Sequence, residues 1–354
     1  TEMVGRPSGT RTLDVWMNGE LVGHWSVSGR QEKFRYSEAW ADSPFARPLS
    51  LSLPLAGREL SGEAVSNYFA NLLPDSREIL KRVAARFRAR STGSFDLLEA
   101  IGRDCAGAIQ LLPHDSERPH FDVIEAVDLS SGDVERMLDH TLDAPDPHHE
   151  ADEEDLRISI AGAQEKTALL KLDGRWCRPV GSTPTTHILK LPLGMVGRQR
   201  ADFSTSVENE WLCLELARAC GFAAAKADME HFGKHKVLVV ERFDRRFEEE
   251  NGRRWIARLP QEDFCQVFGL PPGAKYENEG GPGMDAILNK LRGSEDAASD
   301  RANFLAAQLL FWMMAAPDGH AKNFSVFIEP QGRSRLTPLY DVMSAWPIVG
   351  EGPN

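Results

Sequence analysis

Apolar and polar positions alternate from Leu13 to Val27, with the pair Asn18-Gly19 falling between two strand-like runs. That pattern predicts a type I′ hairpin, whose two central residues both need positive φ. From Ala64 to Ala89 the period lengthens. Val65, Phe69, Leu72 and Leu73 form one helical run, and Ile79, Leu80, Val83 and Phe87 form a second. Pro74 and Asp75 separate the runs, so two helices are expected. The second also carries Arg77, Lys81, Arg82, Arg86, Arg88 and Arg90, which reads as a solvated helix face or as a basic docking face.

Residues Ala144 to Asp155 (APDPHHEADEED) break all periodicity and read as an exposed connector. His148 and His149 within it suit a solvated linker, with metal binding as the alternative. Beyond it come short β-type segments, LRISIAG, KTALLKL, THILKLP and KVLVVERF, and helical patterns at Val207 to Cys220 and Arg301 to Ala316. The order predicts an α+β protein of two lobes with a cleft between them. No internal repeat is present.

Composition narrows the class. A chain of 354 residues, 42% hydrophobic and 27% charged, has the balance of a soluble globular protein large enough for two cores. The longest apolar stretch, Phe304 to Ala316, is too short to span a bilayer, and no export leader is evident, so a cytoplasmic protein with no membrane association is expected. Cys105, Cys177, Cys213, Cys220 and Cys265 are scattered and never two residues apart, which fits neither a disulfide framework nor a zinc site. A formal charge of −12 argues against tight nonspecific nucleic-acid binding by this chain alone.

The segment DGHAKN places Asp318 five positions before Asn323, after an apolar helix and before the strand-like FSVFI. Kinase catalytic loops use that spacing: the Asp accepts the substrate hydroxyl's proton and the Asn holds magnesium. Asp341, in LTPLYDVMSA, supplies the further carboxylate that a phosphate-bound Mg²⁺ requires. Each alone is a weak hint, but the three in this order predict phosphoryl transfer. Ser159 to Leu170 (SIAGAQEKTALL) is a small-residue loop between strands, suited to phosphate oxygens, although it is neither a Walker A nor a G-x-G-x-x-G loop. An ordinary hairpin is its other reading. Lys190, flanked by apolar residues, is either a phosphate-gripping lysine or an edge-strand charge. Glu241 to Asp244 (ERFD) end a strand where a hinge to adenine belongs, or where a strand merely stops. His320 and Lys322 are placed to neutralise phosphate charge or to support their loop.

Read together, ARPLSLSLPL, NLLPDS, RISIAGAQEKTALL, PTTHILKLP, VERFDRR, RLPQEDFCQVFGLP, KYENEGGPG, DGHAKNFSVF and LTPLYDVMSAWP resemble the HipA family, the kinase toxins of bacterial HipBA toxin–antitoxin systems, nearly end to end. The resemblance implies a bilobal protein-kinase-like fold. Residues 1–125 would be a small N-terminal domain of β hairpins and helices, 126–155 a connector, and 156–354 the kinase-like domain. It implies that Ala161, Gly162, Ala163, Gln164, Glu165 and Lys166 cradle the ATP phosphates, that Lys190 contacts them, and that Glu241, Arg242 and Phe243 hold adenine. Gln261, His320, Lys322 and Tyr340 join the nucleotide site, Asp318 is the base, and Asn323 and Asp341 bind Mg²⁺.

The same resemblance implies that Ser159 is autophosphorylated. A phosphate of about −1.5 to −2 charge beside the phosphate loop repels nucleotide and switches the kinase off. It implies glutamyl-tRNA synthetase as protein substrate, translational arrest and dormancy as outcome, and a helix-turn-helix HipB antitoxin that carries most operator DNA recognition. Family members continue past the segment matching WPIVGEGPN, so a C-terminal helical region of the second lobe is expected beyond Asn354. Pro317 stands where Thr is expected, and its fixed φ stiffens entry to the loop. Two other classes stay open: a small-molecule kinase, and a non-catalytic ATP-binding corepressor.

Overall fold

The turn at Asn18-Gly19 has φ of +45° and +78°, and it joins β1 (Arg11–Met17) to β2 (Glu20–Ser28). The computed structural model describes residues 9–142, 164, 166–196 and 201–349. After β3 (Gln31–Tyr36), α1 (Glu38–Ala41) and β4 (Glu59–Ser61) come α2 (Glu63–Ala70), α3 (Arg77–Arg86), α4 (Ser94–Ile101) and β5 (Ile109–Pro113). The strands form an antiparallel sheet in the order β4-β3-β2-β1-β5.

Trp25 of β2 stacks on Phe69 of α2 with ring centroids 3.8 Å apart, at the centre of a core that includes Leu13, Phe34, Leu97 and Ile101. Burying aromatic side chains of this size dominates the stability of so small a sheet. Ser76 caps α3 by accepting from the Ile79 N–H, so Pro74-Asp75 divides two helices as the periodicity predicts. On α3, Leu80 and Val83 lean on the core while Arg77 and Lys81 face solvent.

β6 (Ala126–Asp128) and α5 (Ser131–Leu142) follow. They fall within the stretch that the sequence reads as connector, yet they pack with a second sheet, because Val134 and Leu138 bury an apolar face there. That sheet adds β7 (Lys166–Leu172), β8 (Arg175–Pro179), β9 (His187–Lys190), and, beyond the β10 (Gly194–Val196) and β11 (Ala201–Phe203) hairpin and α6 (Ser206–Ala219), β12 (Ala227–Phe232) and β13 (His235–Glu241). Its order is β12-β13-β9-β7-β8-β6. The run VLVV in β13 is apolar at every position because the strand is covered on both faces. Val237 and Val239 point to the α5 side, and Leu238 and Val240 to the α6 side.

The hairpin β14 (Arg245–Glu250) and β15 (Arg253–Arg258) leads to β16 (Gln261–Asp263), α7 (Phe264–Val267), α8 (Met284–Lys290) and α9 (Ala297–Met313). Then β17 (Ser325–Ile328) and β18 (Ser334–Leu336) complete a three-stranded sheet with β16, and α10 (Trp346–Val349) ends the described chain. Among the described residues no helix is long and apolar enough to cross a membrane. The fold is α+β, with helices spread through both parts of the chain: α1 to α5 precede β7, and α6 to α10 follow β11.

The two parts of the chain meet through buried charge. Asp104, from the loop before β5, accepts from the Arg245 guanidinium at 2.8 Å, the Arg242 guanidinium at 3.2 Å and the Thr185 hydroxyl at 2.6 Å. Asp244 accepts from Arg242 at 2.9 Å and from the Gly107 N–H at 2.7 Å. Burial alone raises the Asp104 pKa, but the arginines Arg245, Arg242 and Arg258 outweigh it and hold the group well below its ordinary value.

Candidate active site

Lys190 sits near the end of β9, directly opposite Lys166 of β7 and Leu238 of β13. Its side chain is 8% exposed, and its ammonium donates to Glu210 at 2.7 Å and to Asp341 at 2.8 Å. Burial pulls the Lys190 pKa down, yet Asp341 and Glu210 together raise it above the usual lysine value. Asp341 is pushed up by burial and pulled further down by Lys190 and Lys166, to about 2. The carboxylate therefore stays ionised at neutral pH. Asp341 also has φ of +55°, a left-handed backbone that Asp tolerates better than most residues and that recurs where sites store strain.

Glu210 is the functional candidate that sequence reasoning missed. It lies on α6 in the buried stripe of Val207, Leu214 and Ala217 and is 1% exposed. An acid at the helical period of an otherwise apolar stripe was the available signal. Its neighbour Asn209 fixes α6 to the Asp341 segment: its Nδ2 donates to the Ser344 carbonyl at 2.8 Å, and its Oδ1 accepts from the Ser344 N–H at 2.9 Å.

The loop after α9 brings in the remaining groups. Asn323 Nδ2 donates to the Asp318 carbonyl at 2.9 Å and to the Asp341 carbonyl at 3.5 Å. Those bonds tether the two acidic segments and leave the amide oxygen Oδ1 as an acceptor. Asn323 Oδ1 and the ionised Asp341 make an oxygen donor set of the kind Mg²⁺ takes. Asp318 is half-buried, and its Oδ1 accepts from the Tyr276 hydroxyl at 2.5 Å. Tyr276 packs edge-on against His320. Burial, then Lys275, lowers the His320 pKa, with Asp318 opposing.

Lys166 is half-buried. Burial and then the charge on Lys190 bring its pKa down to about 8. Beside it, Gln164 donates to the Leu191 carbonyl at 2.6 Å. Ser159, Ala161, Gly162, Ala163 and Glu165, like His148 and His149, lie outside the described residues.

Phe243 is half-buried against Tyr340, with ring centroids 5.5 Å apart, and near Phe327. Tyr340 donates to the Lys322 carbonyl at 2.8 Å and shares a 2.5 Å bond with the Ser325 hydroxyl. These rings form an apolar wall next to Asp341, as a stacked purine requires. Gln261 donates to Asp244 at 3.3 Å and stands beside Gly107.

Two expectations are corrected. The Arg242 side chain is 3% exposed and is spent on Asp104 and Asp244. The Glu241 and Arg242 N–H groups also bond to the Lys226 and Thr186 carbonyls at 2.8 Å each, so neither N–H is available to adenine. Lys322 is not a phosphate contact either. Its side chain is 4% exposed, and its ammonium donates to Asn71 Oδ1 at 2.8 Å, with Asp75 and Asp263 each at 3.5 Å. Burial lowers its pKa, but Asp263 and Asp75 raise it overall.

Among the described residues, the trio with metal-ligand chemistry within reach of one another is Asp14, His24 and His114, in the first sheet rather than here. Asp14 Oδ1 takes both histidines, at 2.7 and 2.8 Å, which satisfies a buried carboxylate without an ion.

A family model described as the HipA-like C-terminal domain matches residues 158–353, and one described as the HipA N-terminal domain matches residues 13–112. The putative kinase Y4mE of Sinorhizobium fredii is 36% identical over 339 residues, which cover 94% of this chain and 77% of that protein. The serine/threonine-protein kinase toxin HipA of Shewanella oneidensis is 30% identical over 353 residues, covering 95% of this chain and 75% of the relative. The solved Shewanella oneidensis complex of HipA, HipB and operator DNA matches with a TM-score of 0.75 at 26% identity, over 94% of this chain and 76% of that one.

Proposed function

The chain belongs to the HipA family, and from that premise we propose that it is a toxin kinase transferring the γ-phosphate of ATP to a serine or threonine hydroxyl of a protein. The observation that carries this reading is Lys190 held between Glu210 and Asp341, with Asn323 tying Asp341 to Asp318. A buried cation fixed between two carboxylates, one of them on a segment tied to an acid-and-amide pair, suits the positioning of a polyphosphate.

In this reading Lys190 and Lys166 draw the donor's phosphates against the end of the second sheet. Phe243 and Tyr340 bound the purine side. Asn323 and Asp341 hold Mg²⁺, which when bound supplies positive charge to the phosphate oxygens. Asp318 accepts the proton of the acceptor hydroxyl as that oxygen bonds to the γ-phosphorus, and the γ-phosphorus bond to the bridging oxygen breaks to release ADP. Little covalent chemistry is asked of the protein, so rate comes from orientation and charge.

The Shewanella complex pairs HipA with HipB and operator DNA. By that likeness we assign this chain a HipB-like helix-turn-helix antitoxin, with operator DNA bound mainly through that partner and repression of their shared promoter as the result. The proposed protein substrate is glutamyl-tRNA synthetase, whose modification stalls translation. Phosphorylation of Ser159 is the proposed off-switch, and the cytoplasm the proposed site of action.

The test is incubation of purified protein with γ-labelled Mg-ATP, alone, with glutamyl-tRNA synthetase, and with a small-metabolite pool, followed by phosphopeptide mapping. Phosphoserine on Ser159 and on the synthetase supports the proposal. Label confined to metabolites would indicate a small-molecule kinase, and nucleotide binding without any transfer a corepressor.

A further inference from the structure

The segment NLLPDS, between α2 and α3 of the first domain, has no part in the chemistry described so far. It nevertheless reaches the catalytic loop. Asn71, at the C-terminal end of α2, is held by its Nδ2, which donates to the Asn67 and Leu270 carbonyls at 2.8 Å each. Its Oδ1 and its backbone carbonyl then both accept from the Lys322 ammonium, at 2.8 and 3.3 Å. A cation there also meets the negative end of the helix dipole.

Asp75 lies between two lysines. One carboxylate oxygen is 3.5 Å from Lys322, and the other accepts from Lys275 at 3.3 Å. Lys322 directly precedes Asn323. Lys275 directly precedes Tyr276, whose hydroxyl bonds Asp318, and the Lys275 carbonyl accepts from the Ala321 N–H at 3.0 Å. A single carboxylate of the first domain thus grips both strands of chain that orient Asp318 and Asn323. The flanking contacts are dense as well. Asn67 donates to the Gly269 carbonyl at 2.8 Å, Ser52 to the Gln266 carbonyl at 2.7 Å, and the Leu51 N–H to Glu262 at 2.8 Å.

We propose that Asp75, with Asn71, is a positioning residue for phosphoryl transfer: the first domain supplies the anion that locks the catalytic loop, through Lys322 and Lys275, in its working geometry. This rests on the proposed kinase reading for its kinetic consequence, but not for its structural one. Without Asp75, Lys275 loses its carboxylate partner and Lys322 keeps only Asp263 and Asn71, so the tie between the two segments is cut and the loop loosens. Small displacements of that kind cost turnover while leaving nucleotide binding, which depends on Lys190 and the second sheet, intact.

The experiment uses the full chain as wild type, Asp75→Asn and Asp75→Glu. It reads the transfer rate, the Kd for a fluorescent ATP analogue, and amide hydrogen exchange across 319–324. Asp75→Asn is expected to lower kcat about tenfold or more, equivalent to at least ~1.4 kcal/mol in barrier. It should keep Kd within about twofold and speed exchange in the loop, and Asp75→Glu should recover part of the rate. A folded Asp75→Asn protein with unchanged kcat and unchanged exchange overturns the proposal, as does loss of nucleotide binding in proportion to rate. Should Asp75→Asn fail to fold, Lys275→Gln, which cuts only the outer contact, must show the same pattern more weakly. If wild type transfers no phosphate the kinase reading fails, and the exchange measurement still decides whether Asp75 holds the loop.

Discussion

The Tyr276 hydroxyl donates to Oδ1 of Asp318 at 2.5 Å, so one oxygen of the proposed proton acceptor is already oriented, and the other is the one proposed to meet the acceptor hydroxyl. A hydrogen bond to a charged group contributes about 1.5–3 kcal/mol, and this one acts by aiming the carboxylate. Tyr276→Phe should therefore lower kcat about tenfold with little change in KM for ATP, in steady-state assays with labelled nucleotide. An unchanged kcat would leave the phenol as packing against His320 alone.

Glu210 offers a test of the lysine clamp. Removing one member of a buried ion pair costs about 3–5 kcal/mol when the other charge is stranded. Lys190 retains Asp341, so the lower end applies. Glu210→Ala should lose roughly 3 kcal/mol in urea unfolding and weaken ATP binding at least about tenfold, because Lys190 is no longer held from both sides.

Lys166 predicts a pH dependence. Burial and Lys190 depress its pKa to about 8, so it is charged below that value and neutral above it. ATP phosphates favour the charged form. Affinity should be flat from about pH 6 to 7.5 and weaken as pH rises through 8 and beyond, by up to about tenfold per unit. Lys166→Met should bind more weakly at pH 7 and show no such fall. Fluorescence titration across the range reads both.

Arg242 is predicted to matter for stability rather than for nucleotide. Arg242→Met leaves Asp104 and Asp244 with fewer buried partners, at a cost of about 3–5 kcal/mol. Calorimetry should show a lower Tm and earlier unfolding of the first domain, whereas the nucleotide Kd of the folded fraction should stay close to wild type.

The contrast between these residues shows what a linear chain discloses. The Asn18-Gly19 hairpin and the α2 and α3 runs were legible because their determinants are local. Asp318, Asn323 and Asp341 were legible as candidates because kinase chemistry fixes their order and spacing. Arg242 and Lys322 were not, since their partners lie 138 and 251 residues away in Asp104 and Asn71. A basic residue beside a motif looks the same whether it grips phosphate or another domain. Glu210 was hidden among the acids of α6. Glu208 pairs with Lys236 near the surface and Glu210 turns inward, a difference set by which face of the helix meets the second sheet.

The central claim is that Asp318 takes the proton of a protein hydroxyl while Asp341 and Asn323 hold the metal that steadies ATP. Its most direct test is phosphate transfer from γ-labelled Mg-ATP by wild type and by Asp318→Gln, at equal fold integrity and equal nucleotide occupancy. The account predicts phosphoserine from wild type and a loss of at least about a hundredfold in Asp318→Gln. Undiminished transfer by Asp318→Gln would contradict it.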